Sequence, residues 1–248
     1  MENTKELKLA VLIDADNVPY SNIKGMLEEI AKYGSPTFKR IYGDWTKPTL
    51  SGWKTVLLEN AISPIQQYSY TTGKNSSDSA LIIDAMDILY TGGVDGFCIV
   101  SSDSDFTRLA TRLREAGMKV FGIGEKKTPM PFIVSCNKFI YIEILKKEAK
   151  EVAPAKTASK ETKAPVVVAN DKAINKLLTD SIDDLTEEDE WVSLNNLSNL
   201  IYKKHPDFDP RNYGHKKFSD LIKTIKSIEI DERPTGKNNI SHFYVKTK

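Results

Sequence analysis

Short apolar runs and helical apolar spacings alternate through the first 146 residues. Residues 9–13 form a continuous apolar run, the pattern of a strand buried on both faces. Ser21 then predicts the N-cap of a helix carrying Ile23, Met26, Leu27 and Ile30, stopped near Gly34 and Pro36. Residues 37–42 read as a second strand, ending in Gly43-Asp44-Trp45. Trp53, Val56, Leu57 and Ala61 fall at helical spacing and precede a third strand around residues 64–68. The polar stretch 71–78 turns into a helix with Leu81, Ile82, Ala85, Met86 and Leu89. Residues 96–100 are the fourth strand. The helix after it carries Phe106, Leu109, Ala110 and Leu113, and Gly117 is its C-cap after Arg112 and Arg114. Residues 119–123 make strand five, and 132–136 and 139–145 a short helix and a last strand. This alternation predicts an α/β domain over residues 1–146, a doubly wound, mainly parallel sheet covered on both faces.

From residue 147 to 169 the pattern stops. Ala, Lys, Thr and Pro alternate with nothing to bury, which predicts a flexible linker. Periodicity returns over 170–248. Ile174, Leu177, Leu178, Ile182 and Leu185 define one helix, and Glu187 to Glu190 an acidic turn. Trp191-Val192 is a short strand, and Ser193 caps a helix with Leu194, Leu197, Leu200 and Ile201. A third helix carries Phe218, Leu221, Ile222 and Ile225. Residues 228–230 and 242–245 pair as a hairpin across the turn at Thr235 to Asn239. Three helices and a hairpin predict a small α+β winged helix, a relative of helix-turn-helix modules.

Composition narrows this picture only modestly. A net charge of +1 does not suggest a polyanion-wrapping protein, although it says nothing about local basic patches. Cys98 and Cys136 lack any metal spacing, and Cys98 in an apolar strand reads as a buried reduced thiol. No stretch is apolar for long enough to span a membrane, and the run at residues 9–13 is cut short by Asp14 with no cleavage site after it. A cytoplasmic location with no membrane partner is the default expectation.

The candidate chemistry sits at strand ends. Strand four runs into Ser101-Ser102-Asp103-Ser104-Asp105, and strand one into Asp14-Ala15-Asp16-Asn17. Ligands of open α/β sheets bind at the carboxyl ends of strands, and strands one and four ordinarily flank the switch point, so Asp14 and Asp103 should face each other there. Asp78 starts the helix after strand three and points to the same end, whereas Asp84 lies nearly two turns deeper. The plain alternative is that Asp103 or Asp105 only caps a helix. Carboxylates gathered in one cleft repel, and each pKa rises unless a cation neutralises them. Oxygen-only donors favour a hard ion, Mg²⁺ or Mn²⁺. One or two such ions can stabilise the attacking and leaving oxygens of a phosphodiester. Lys74 adds either a phosphate-binding cation or an ordinary solvated lysine.

Asp14 to Asn17, Tyr42-Gly43-Asp44-Trp45, Lys74 to Asp78, Ser102 to Phe106 and Leu113 to Gly117 together resemble the NYN domain family of PIN-like, FLAP-nuclease-like metal-dependent ribonucleases. Val120 to Gly124 and Phe139 to Glu143 continue the likeness. The resemblance implies an endoribonuclease whose metal ligands are Asp14, Asp78, Asp103 and Asp105, with Asn17 and Ser102 shaping the site. Many relatives have a glycine and a non-acidic residue where this chain has Ala15 and Asp16; Asp16 is either an extra ligand or, the favoured expectation, a cap for the following turn. Rival readings are a non-catalytic RNA-binding or scaffold protein and a haloacid-dehalogenase-type phosphatase. The latter is suggested by Asp14-Ala15-Asp16 but places Thr or Val where Asn17 stands.

Asp209 to Leu221, with Tyr213, His215, Lys216 and Lys217 inside it, resembles the OST-HTH family, also called LOTUS. That implies a domain that binds RNA, including G-rich RNA, or a helicase partner. Arg211, His215, Lys216 and Lys217 before the third helix, with Lys237 in the wing, are then the expected phosphate-facing set. Tyr213 is expected to pack on its own core rather than on a base.

Overall fold

The computed structural model describes residues 6–68, 76–145, 171–186, 191–234 and 241–248. The chain divides into two compact units, Met1–Pro154 and Ala155–Lys248. The expected linker, Lys74, Lys237 and the acidic run at 187–190 lie outside the described residues.

In the first unit, strands β1 (Lys8–Asp14), β2 (Ser35–Gly43), β3 (Ser63–Gln66), β4 (Gly96–Val100), β5 (Lys119–Gly124) and β6 (Lys138–Tyr141) form one sheet in the order β3-β2-β1-β4-β5-β6. Every neighbouring pair is parallel. Helices α1 (Ile23–Ile30), α2 (Trp53–Glu59), α3 (Ser76–Thr91), α4 (Thr107–Glu115) and α5 (Met130–Ser135) make the crossovers. The sheet is covered on both faces, so the strands must be apolar at successive positions. Leu9, Val11 and Ile13 pack with Met26, Ile30 and Trp53 from α1 and α2. Ala10 and Leu12 pack on the other side with Leu81, Leu113 and Phe132 from α3, α4 and α5. Both cysteines are buried free thiols.

This order puts β1 beside β4, with later strands added outward from each, which is the switch point of a doubly wound sheet. Ile13 pairs with Val100, so the residues that follow each strand emerge together.

Three local expectations change. Ser21 does not cap α1; it lies in a 3-10 turn, Tyr20–Asn22, after Pro19. Strand β2 starts at Ser35, with a register shift opposite Leu9 and Ala10 that accommodates Pro36 near the strand start. Strand β6 ends at Tyr141, and residues 142–145 turn helical. Ile142 and Leu145 thereby pack with the α1 layer. Short apolar runs leave strand and helix undecided, and packing decides here.

The second unit contains α6 (Asp171–Asp183), β7 (Val192–Ser193), α7 (Leu194–Lys204), α8 (Phe218–Ile222), β8 (Ile228–Pro234) and β9 (Ser241–Thr247). The strands form an antiparallel sheet, β7-β9-β8. Ser193 caps α7 as expected, its hydroxyl accepting from the Asn196 N–H at 3.2 Å. Leu178, Ile182, Leu197, Ile201, Phe208 and Val245 are central to its core. The third helix is shorter than its apolar spacing suggested, since Ile225 lies in the turn beyond α8.

Candidate metal centre

Asp14 is the last residue of β1 and only 1 % exposed. Its carboxylate accepts from Asn17 Nδ2 at 2.6 Å, Ser101 Oγ at 2.9 Å and the Asp16 N–H at 3.2 Å. Burial pushes its pKa up, and these three hydrogen bonds pull it back. Ser101 follows β4, and its hydroxyl also accepts the Asp103 N–H at 3.1 Å, so one buried side chain ties the two strand ends together. Ser102 does the same toward β5, accepting the Glu125 N–H at 2.9 Å.

Asp103 then turns the chain. Its carboxylate accepts the Asp105 N–H at 2.9 Å and caps a 3-10 turn, Ser104–Phe106, that leads into α4. The capping alternative is therefore correct as local chemistry. It does not exhaust the residue, because one carboxylate oxygen each from Asp78, Asp103 and Asp105 lie within 4.8 Å of one another. Asp78 enters from the first turn of α3 and is 8 % exposed. Burial, then the charges of Asp14, Asp103, Asp105 and Asp16, push its carboxyl up to about 6.

The convergence differs from the expected set of four at one place. Asp14 stands outside this group of three: its charge reaches Asp78, but its oxygens face Asn17, Ser101 and the Asp16 backbone. Asp16 does not cap the turn as expected. Its N–H donates to Asp14, and its carboxylate lies 3.8 Å from Lys47 Nζ. Asp84 is withdrawn from the cleft, accepting from both the Arg40 guanidinium and the Tyr42 hydroxyl. This triangle pins α3 to β2, since Arg40 and Tyr42 alternate onto one face of that strand.

Asp44 is a brace rather than a ligand. It accepts from the Thr46 hydroxyl at 2.6 Å and Gln66 Nε2 at 3.0 Å, while the Trp45 indole N–H donates to the Ile65 carbonyl at 3.0 Å. Ser101 is the site residue that sequence reasoning missed. Its signal was present in the Ser101-Ser102 pair, of which only the second member was singled out.

In the second unit the expected basic set separates. The Arg211 guanidinium is engaged by Asp209, through Nε at 3.0 Å and Nη2 at 2.7 Å, so it holds the turn before α8. Lys216 and Lys217 are exposed, and His215 is half-buried beside them. Tyr213 packs on Phe208 with ring centres 5.6 Å apart, as expected of a core aromatic.

No described helix is long and apolar enough to cross a membrane. Among solved structures, the chain is similar to a protein of unknown function from Vibrio parahaemolyticus, at 21% identity over 57% of this chain and 96% of that one, with a TM-score of 0.47. An uncharacterized protein from Nitrosomonas europaea matches at 28% identity over 39% of this chain and 86% of its own, with a TM-score of 0.27. A Chromobacterium violaceum protein matches at 24% identity over 30% and 78%, with a TM-score of 0.25. None of these likenesses carries a functional argument. No curated protein matches significantly. The OST-HTH/LOTUS domain, a type that binds RNA and sometimes proteins, matches residues 169–240. The NYN domain, of a PIN-like nuclease family, matches residues 8–143, more than half of the chain. With that match and a sheet of the corresponding α/β type, the protein belongs to the NYN domain family.

Proposed function

We propose that the protein is a metal-dependent endoribonuclease that cleaves RNA phosphodiester bonds, with its C-terminal domain serving as an RNA-binding module. The observation that carries this is the convergence of Asp78, Asp103 and Asp105 at the switch point of the sheet. The donor set fits a hard divalent cation, Mg²⁺ or Mn²⁺, because it is all oxygen. One oxygen from each of Asp78, Asp103 and Asp105 lies within 4.8 Å of the others, so these three carboxylates would hold such an ion. When bound, the ion or ion pair supplies charge stabilisation for the attacking and leaving oxygens of an in-line displacement.

The chain's own residues prepare that site. Asp78, Asp103 and Asp105 hold the cation. Asp14 adds negative charge behind them, and its oxygens offer about four acceptor positions of which three are in use, leaving one for a ligand role. Asn17 and Ser101 orient Asp14, and Ser102 anchors the Asp103 turn to the end of β5. Lys216, Lys217 and His215, with Lys74 and Lys237, are the proposed RNA-facing residues. Arg211 supports their loop. The phosphatase alternative is disfavoured because Asp14, its required nucleophile, is buried and held by three donors.

Asp103→Asn tests the proposal. Asn caps as well as Asp, so the fold should be unaffected. Cleavage of labelled RNA in Mg²⁺ or Mn²⁺ should fall by about 100-fold or more. Asp78→Asn, purified identically, should lose the same activity, which excludes a contaminating nuclease. Cleavage by Asp103→Asn at the wild-type rate sinks the metal-binding role.

A further inference from the structure

The C-terminal sheet has two chemically unlike faces. Alternation turns Ile228, Ile230 and Val245 toward the helices. It turns Glu229, Asp231 and Arg233 of β8, with Tyr244 and Lys246 of β9, to the opposite side. Trp191, just before β7, joins that outer face. The Arg233 guanidinium lies 4.3 Å from the Tyr244 ring centre and 5.8 Å from that of Trp191, and Lys246 Nζ lies 4.9 Å from the Trp191 ring. Both carboxylates of the face are paired, Asp231 with Arg233 at 2.7 Å and Glu229 with Lys246 at 3.6 Å. Aromatic rings with cations laid over them occupy a surface where short polar side chains would satisfy a solvated sheet.

We propose that this outer face is a stacking platform for the bases of single-stranded RNA; the proposal rests on the RNA-binding role assigned above to this domain. A guanidinium stacked on Tyr244 occupies the ring face that a base would use, and a base can enter between the two planes. Arg233 is half exposed, so its side chain is able to swing out. The chemistry of the face, rather than net charge, selects the occupant. Residues 170–248 carry 13 Lys and Arg against 14 Asp and Glu, but Arg233 and Lys246 lie over the two rings, where a strand stacking its bases would bring its phosphates within their reach. No aliphatic side chain stands beside the two rings on the described outer face, so the groove for an apolar protein helix is missing. A duplex hides its base faces, so the strand must be single.

The test uses the full chain in chelator, so that cleavage is suppressed, and fluorescence anisotropy with a labelled oligouridylate of about ten nucleotides, within the site sizes such platforms cover. Trp191→Ala and Tyr244→Ala should each weaken binding roughly 5- to 150-fold, with the salt dependence unchanged. Trp191→Phe and Tyr244→Phe should bind nearly as wild type. A strand of the same length with abasic sites should bind the wild-type chain as weakly as the alanine variants bind the intact strand. Wild-type affinity that is equal with and without bases overturns the platform whatever the variants do, and leaves the RNA-binding role standing on phosphate contacts. Alanine variants that bind the intact strand as tightly as wild type overturn it equally. Absence of any RNA binding by the wild-type chain overturns both readings.

Discussion

Asp78→Asn removes one charge from the carboxylate cluster while keeping the size of the side chain. In the folded protein this carboxyl titrates at about 6, against about 3.9 for an unhindered Asp. The folded state therefore holds the proton more tightly than the unfolded one. Below about pH 4 the group is protonated in both states and no penalty applies; stability is lost as pH rises from there through about 6. A two-unit difference corresponds to roughly 3 kcal/mol, which hydration at the open side of the cleft reduces to about 1–2 kcal/mol. The first-turn position in α3 returns about 0.5 kcal/mol to the charged form. The net expectation at neutral pH is that the apo variant is about 1 kcal/mol more stable than wild type, or roughly 2–4 °C in Tm. Calorimetry of the full chain in chelator measures this, and the transition that Mn²⁺ moves identifies the first unit. The gap should close near pH 4. Saturating Mn²⁺ at about 100 times its Kd should raise the wild type by roughly 2.7 kcal/mol and the variant by less. A variant that melts below wild type at neutral pH in chelator, or a gap unchanged at pH 4, refutes the crowding argument.

Ser101→Ala deletes a buried donor to Asp14, so the Asp14 pKa rises further. Urea unfolding should show a loss of about 1.5–3 kcal/mol at neutral pH that shrinks as pH falls and Asp14 takes up its proton. Asp84→Ala strands the Arg40 guanidinium and the buried Tyr42 hydroxyl and should cost about 2–4 kcal/mol; adding Tyr42→Phe should recover part of that loss, read as a non-additive double mutant. Removing residues 170–248 should weaken binding of long RNA while cleavage of a saturating short oligonucleotide persists. Equal affinity of the shortened and full chains for long RNA would assign the tail to a protein partner instead.

The legible part of this protein is the part governed by periodicity. Buried parallel strands write continuous apolar runs, so β1 and β4 and the acids that end them stood out, and the switch-point rule brought those ends together before any coordinates did. Contacts between distant side chains were not legible. The depth of Asp84 along its helix already set it apart from Asp78, but the partner pair 44 and 42 positions upstream that engages it was not legible. Asp14 and Asp103 end equivalent strands, yet a serine hydroxyl claims the first and leaves the second in the cleft. Arg211 reads as a basic residue of a binding loop until Asp209, two residues away, is seen to engage it. Stacked cations on the C-terminal sheet depend on cross-strand register, which a hairpin pattern alone does not number.

The placement of β4 between β1 and β5 sets when the acidic site can assemble. Ser101 meets Asp14 from 87 positions downstream, and Ser102 holds a backbone group of Glu125, 23 positions further on. Asp14 leaves the ribosome long before those anchors do, and at about 5–20 residues per second the intervening segment takes roughly 6–22 s to make. Until then the acids are scattered along an open chain lying beside its own messenger. Under the proposed activity, a nascent chain has no assembled cutting site until the strand beyond its first acid has been synthesised.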